Sequence, residues 1–220
     1  MEGAARMIAV PDASPEERWI QALWTGGTNL ALLPAIVLTG QLDMYFESVV
    51  CSFALFTSSM YHVCQSLRCR CLGFNSGRWH HMDNVFAITG LLVSIVNFSQ
   101  VPRPSSWREL RNTLVVSIVI CAQISSPWDL MHSIGPLAVG VVLMFLEMIY
   151  LRRLPTLCKA DLVKAALCAC GGGLCFYKGL DQFEDWLRLW HGGWHIFVGA
   201  MLYYCVRAQN PRTRVAAKDA

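Results

Sequence analysis

Long apolar runs separated by short polar breaks constrain this chain more than any other feature, because most of the runs are long enough to cross a bilayer. Runs of about 18 to 22 apolar residues span the roughly 30 Å of hydrocarbon as helices. We read them at residues 20–39, 45–66, 82–101, 111–125, 130–151, 161–179 and 189–207. The expectation is an all-α membrane protein, a seven-transmembrane helix bundle over 20–207, between an N-terminal segment, 1–19, and a C-terminal tail, 208–220. The fourth run is short. Merged with the fifth across Ser126-Pro127-Trp128-Asp129, it gives six crossings, the main structural alternative.

Composition agrees with a membrane chain: 55% of residues are apolar and 15% charged, far from a soluble average. Residues 1–19 carry Glu2, Arg6, Asp12, Glu16, Glu17 and Arg18 without an apolar centre, so the first span, not a cleaved peptide, is expected to direct insertion. The net charge of +3 is small and spread over several loops, with no run of Lys or Arg interleaved with aromatics. That excludes nucleic acid as a partner. Among the 18 Lys and Arg residues, the side holding the C-terminus outweighs the side holding the N-terminus. The positive-inside rule then puts the C-terminus in the cytosol and the N-terminus outside or in a lumen, in the plasma membrane or the ER and Golgi.

The breaks carry turn chemistry, as in Gly40-Gln41-Leu42-Asp43, Asn75-Ser76-Gly77 and Pro102-Arg103-Pro104. Trp19, Trp24, Trp79, Trp107, Trp128, Trp186 and Trp190 fall near span ends, where an interfacial belt is expected. Gly171-Gly172-Gly173 predicts close helix contact, and Gly135-Pro136 a kink. Cys51, Cys121, Cys168, Cys170, Cys175 and Cys205 lie in apolar runs and read as small packing residues. Cys64, Cys69 and Cys71 crowd the end of the second span near His80 and His81, leaving a disulfide, an acylation site or a second metal site open.

Five polar residues stand inside or at the ends of the runs: Ser58, His62, Asp83, His191 and His195. Ionisable groups at that depth are costly and tend to be functional. Ser58 and His62 are four apart, as are His191 and His195, so each pair shares one helix face. With seven spans, the end of span two and the starts of spans three and seven face the same side, which puts His62, Asp83 and His191 at one depth. A lone histidine at a span end is ordinarily an interfacial group bonded to a carbonyl, whereas an i, i+4 pair is a natural bidentate metal unit. Three imidazoles form a good set for Zn2+ and leave a fourth tetrahedral position to water, the pattern of a catalytic site. Asp83 is then the acceptor of the water's proton and Ser58 a donor to the developing oxyanion of a lipid carbonyl. His80 and His81 read as loop residues near the site, and His132 as an outer-side pocket residue. Ser59, Tyr61, Glu184 and Asp185 are candidates for its support, with a solvated loop the blander reading of the acidic pair.

Ser58-x₃-His62, Asp83 and His191-x₃-His195 resemble the signature of the CREST superfamily, which includes alkaline ceramidases, progestin and adipoQ receptors and Per1-type lipid remodellers. The contexts Ser59-Met60-Tyr61-His62-Val63-Cys64 and Phe183-Glu184-Asp185-Trp186, with the Gly135-Pro136 step, are most similar to its myomaker-like branch. The resemblance implies a seven-helix bundle with an intramembrane zinc site held by His62, His191 and His195, with Ser58 and Asp83 contacting zinc-bound water. It implies a zinc-dependent hydrolase cleaving an amide or ester in a membrane lipid. The competing class is a non-enzymatic fusion factor or receptor in which zinc fixes the helices. A transporter is disfavoured because spans one, four and five are read as lacking the charges of a midplane path.

Overall fold

The computed structural model describes residues 13–102, 105–126, 129–152, 154–181 and 185–210. Among them, the chain is helical apart from turns and one isolated bridge between Cys71 and Phe74.

Helix α1, Pro15–Thr28, begins where local chemistry favours it. The Ser14 hydroxyl accepts from the Glu17 N–H, and the Glu17 carboxylate accepts from the Ser14 N–H, a reciprocal cap with Pro15 in the first turn. A single 3₁₀ turn, Asn29–Leu32, joins α1 to α2, Leu33–Gln41, so one rod runs from Pro15 to Gln41. It starts before residue 20 because the cap lies upstream of the apolar run. The following helices are α3, Tyr45–Ser66; α4, Ser76–Val96, prolonged by a 3₁₀ turn at Asn97–Ser99; α5, Ser106–Ser125; α6, Leu130–Leu151; α7, Lys159–Gly179; and α8, Leu189–Gln209.

The fourth and fifth runs stay separate. Helix α5 ends at Ser125, and the Asp129 side chain caps α6 by accepting from the Met131 N–H. Helix α4 starts six residues earlier than its apolar run, because Asn75 caps it by accepting from the Arg78 N–H. His80 and His81 are therefore helical, not loop residues. Pro136 is accommodated within α6 without ending it.

Among the described residues, four helical segments are long and apolar enough to cross a membrane: Pro15–Gln41, Ser76–Ser99, Leu130–Leu151 and Lys159–Gly179. Helices α3, α5 and α8 bury several polar groups, among them Glu47, His62, Arg111, Gln123 and His195. The outer faces of α6 and α7 bear Val142, Phe145, Leu146, Ile149, Val163 and Leu167 in the open, an arrangement suited to lipid rather than water.

Helix α3 packs on the first rod and on α4, and α8 packs on the first rod and on α7, while α5 and α6 cover α4. One core joins Leu32, Ala35, Cys51, Ala54 and Leu202, and a second joins Ile88, Leu92, Val93 and Val96 of α4 to Val115 and Val119 of α5. Gly199 lets α8 touch the 3₁₀ turn, since a Cβ there would lie 2.4 Å from the Ala31 carbonyl oxygen. Gly171 and Gly172 admit Phe197 and Trp194 of α8, as the glycine run predicts. Gly173 faces open space.

At the end of the bundle away from the histidines lies a buried ionic network that the sequence reading passed over. Arg111 is fully buried and donates to Glu147 Oε2 at 3.2 Å and to Asn97 Oδ1 at 2.6 Å. Glu147 also accepts from Ser99 Oγ at 2.6 Å and Trp107 Nε1 at 2.8 Å. Glu47 pairs with Arg108 and accepts from Asn97 Nδ2 at 2.8 Å. The fourth and fifth apolar runs thus carry charges, Arg111 and Glu147, which pair with each other at 3.2 Å.

Candidate metal centre

Helix α3 supplies Ser58 and His62, both buried, one turn apart on the same face. Helix α8 supplies half-buried His191 and buried His195 in its first two turns. The three imidazoles, read from the sequence as one set, do converge: the ring centroids of His62 lie 4.8 Å from those of His191 and His195, and the latter two are 5.0 Å apart. One nitrogen from each falls within 4.8 Å of the others. The Nε2 atoms of His62 and His191 are 3.3 Å apart. Two zinc-bound nitrogens at about 2.0–2.1 Å in a tetrahedron are separated by about 3.3–3.4 Å, so this spacing fits the ion.

His195 is oriented from behind. Its Nδ1 lies 3.1 Å from the Thr25 carbonyl oxygen and 3.0 Å from Thr28 Oγ1, both on the first rod. Donation from Nδ1 to that carbonyl fixes the tautomer and leaves the Nε2 lone pair free to bind a metal. Sequence reasoning missed Thr25 and Thr28. The one signal for them was position, since they lie near the start of the first apolar run, which alternating runs bring beside the end of the second.

His191 is held through its backbone. Asp185, buried in the turn before α8, accepts from the Trp190 N–H at 3.0 Å and from the His191 N–H at 2.9 Å. This corrects the solvated-loop reading of Asp185: the carboxylate fills the role of an N-terminal cap from four residues before the first residue of α8. Glu184 lies outside the described residues. Gln21 of α1 donates to the Trp186 carbonyl and anchors the same turn.

Asp83, on α4, is half-buried and lies within reach of the Ser58 hydroxyl of α3. The Ser58 hydroxyl can only donate to an ionised carboxylate, so it orients Asp83 from a position one turn from His62. The next residue, Asn84, donates to Gln123 Oε1 at 3.1 Å, and Gln123 Nε2 donates to the His132 carbonyl at 3.0 Å. His132 therefore meets this region through its backbone, while its ring pairs with Asp129 at 3.4 Å.

Tyr61 packs between the rings of His62 and His80, with centroids at 4.6 and 4.7 Å. Ser59 supports the site from α3 by donating to the Gly26 carbonyl at 3.1 Å. His80 stands behind Tyr61, and His81 is a half-buried residue of α4; neither belongs to the three-nitrogen cluster. Cys64 and Cys71 form a disulfide, with Cys69 Sγ 3.8 Å from Cys71 Sγ. The disulfide occupies two of the three sulfurs that a second metal site would need. Trp79 is buried and donates to the Cys71 carbonyl at 3.0 Å, so it belongs to the core and not to the expected belt. Trp19, Trp24, Trp107, Trp186 and Trp190 are exposed, and Trp128 lies outside the described residues. Cys51, Cys175 and Cys205 are buried as packing residues, whereas Cys121 and Cys170 are exposed on helix faces.

The model of the family described as "Protein of unknown function (DUF3522)" matches residues 17–196. The chain belongs to the DUF3522 family. No curated protein matches it. The DUF3522 match begins within α1 and ends one residue past His195, so Ser58, His62, Asp83, Asp185, His191 and His195 all lie inside it.

Proposed function

We propose that this DUF3522 protein is a multi-pass membrane hydrolase that uses zinc to cleave an ester or amide bond in a membrane lipid. The observation that carries the reading is the convergence of three imidazoles beside a carboxylate that is not among them. His62, His191 and His195 would hold the ion, and the resemblance to the CREST superfamily and its myomaker-like branch supports that assignment. Zinc in such a set supplies Lewis acidity and brings the ionisation of water close to neutral pH.

The remaining work falls to the chain's own residues. Asp83 takes a proton from the attacking water and returns it to the leaving group. Ser58 aims the Asp83 carboxylate in the resting arrangement and donates to the substrate carbonyl oxygen as charge develops there. Thr25 holds His195 in the metal-binding tautomer, and Asp185 fixes the first turn of α8 beneath His191. Helices α6 and α7 each turn an apolar face outward, which suits a bundle surrounded by the lipid that holds the substrate. In this reading the chain crosses the membrane seven times, with the site near the external or lumenal surface and the C-terminus cytosolic.

A second reading rests on a separate observation: the cluster joins α3 to α8 and, through His195, to the first rod. A metal there could serve purely as a clamp, as in a fusion factor or receptor. The two readings part in one experiment. Zinc-loaded protein and Asp83→Asn are incubated with ceramide, lysophospholipid, phospholipid and GPI-lipid panels. Turnover lost in Asp83→Asn with zinc retained supports hydrolysis. Absence of turnover on every lipid, with unfolding of His195→Ala, supports the clamp.

A further inference from the structure

We propose that Arg188 binds the phosphate of a glycerophospholipid, which makes an ester of a phosphate-bearing lipid, not the amide of a neutral ceramide, the substrate class of this site. The inference rests on the lipid-hydrolase reading and narrows it. Arg188 immediately precedes α8 and is buried, with 6% of its surface exposed. A buried guanidinium is expensive unless an anion or several acceptors accompany it. Among the described residues, its side chain donates to Gln65 Oε1 at 3.3 Å, and no carboxylate forms an ion pair with it. Asp185, three residues away, spends its carboxylate on the N–H groups of Trp190 and His191.

The placement suits a ligand bound across two layers. His62 and His191 form one layer between α3 and α8, and Gln65 and Arg188, each three residues nearer the membrane surface, form the next. Three residues of helix rise about 4.5 Å. In a glycerophospholipid, the phosphate and the acyl ester carbonyl sit on one glycerol at a comparable separation, with the phosphate nearer water. Arg188 reaches Gln65, one turn beyond Tyr61 on α3, and so borders the layer that holds His62 and His191. The backbone of Arg188 is left-handed, with φ 59° and ψ 30°, a conformation unusual for a non-glycine residue and found at ligand clamps. A planar guanidinium with several N–H donors to spare is the side chain best matched to a phosphate fork.

The test is lipid retention measured by native mass spectrometry on metal-loaded full-length protein released from detergent. It compares phosphatidylcholine, ceramide and diacylglycerol of matched chain length, with inorganic phosphate as a competitor. Phosphatidylcholine is expected to be retained about tenfold over the two uncharged lipids, to fall to their level in Arg188→Gln, and to recover partly in Arg188→Lys. Inorganic phosphate at millimolar concentration is expected to displace little of it; full displacement would identify a site for the free anion and overturn the lipid assignment. Equal retention of ceramide by the wild type overturns the proposal, as does unchanged retention in Arg188→Gln. If Arg188→Gln loses zinc or fails to fold, the wild-type comparison alone decides. Selective phospholipid binding without turnover would leave this inference standing and defeat the hydrolase reading.

Discussion

His195 and Asp83 separate two roles at the scale of single residues. Removing the His195 imidazole takes one of three nitrogens and leaves the Thr25 carbonyl without its donor. His195→Ala is therefore expected to reduce bound zinc from about one ion per chain to near none, measured by elemental analysis of purified protein. Asp83→Asn preserves shape and a hydrogen bond to Ser58, so zinc content should hold while turnover of a lipid substrate falls by about a hundredfold or more, measured under saturating substrate. Five of the site's residues were legible in the sequence because a polar group within an apolar run is conspicuous. Asp185 was legible only as a candidate beside a solvated-loop reading, and Thr25 was passed over because what matters there is a main-chain carbonyl, which no side-chain type announces.

At the scale of the element, the ends of α8 and α4 matter most. Asp185→Ala strips the acceptor from two N–H groups at the start of α8 and is expected to cost about 1–2 kcal/mol, seen as a lower thermal unfolding midpoint together with weaker zinc retention. Asp185→Asn, which keeps an acceptor, should be milder. The disulfide gives a second check. Maleimide should modify Cys69 but neither Cys64 nor Cys71 until the protein is reduced, as read by peptide mass spectrometry. Helix ends were the poorest part of the sequence reading. Hydropathy marks where lipid-compatible residues begin, whereas Ser14 and Asn75 begin their helices in polar sequence upstream, by side-chain capping.

For the whole molecule, the buried network opposite the histidines ties α3, α4, α5 and α6 together. Arg111→Met strands the Glu147 carboxylate in the interior and is expected to destabilise by about 3–5 kcal/mol. The double substitution Arg111→Met with Glu147→Met should restore most of that loss, because no charge is then left unpaired. Thermal unfolding in detergent of the two singles and the double measures the coupling. Glu47, Arg111 and Glu147 each stand near an end of an apolar run, so the members of this network were visible in the sequence, whereas their pairing was not.

The order of apolar runs and the positions of the buried polar groups determined by themselves that this chain would be a helical membrane protein with histidines available at one end. That much is a matter of hydropathy and periodicity, which are local. The approach of His62 to His191, the orientation of His195 by Thr25 and the burial of Arg188 against Gln65 were decided only by tertiary structure. Each joins residues more than 100 positions apart, and distances of that kind are set by how α1, α3 and α8 pack, which no local pattern encodes.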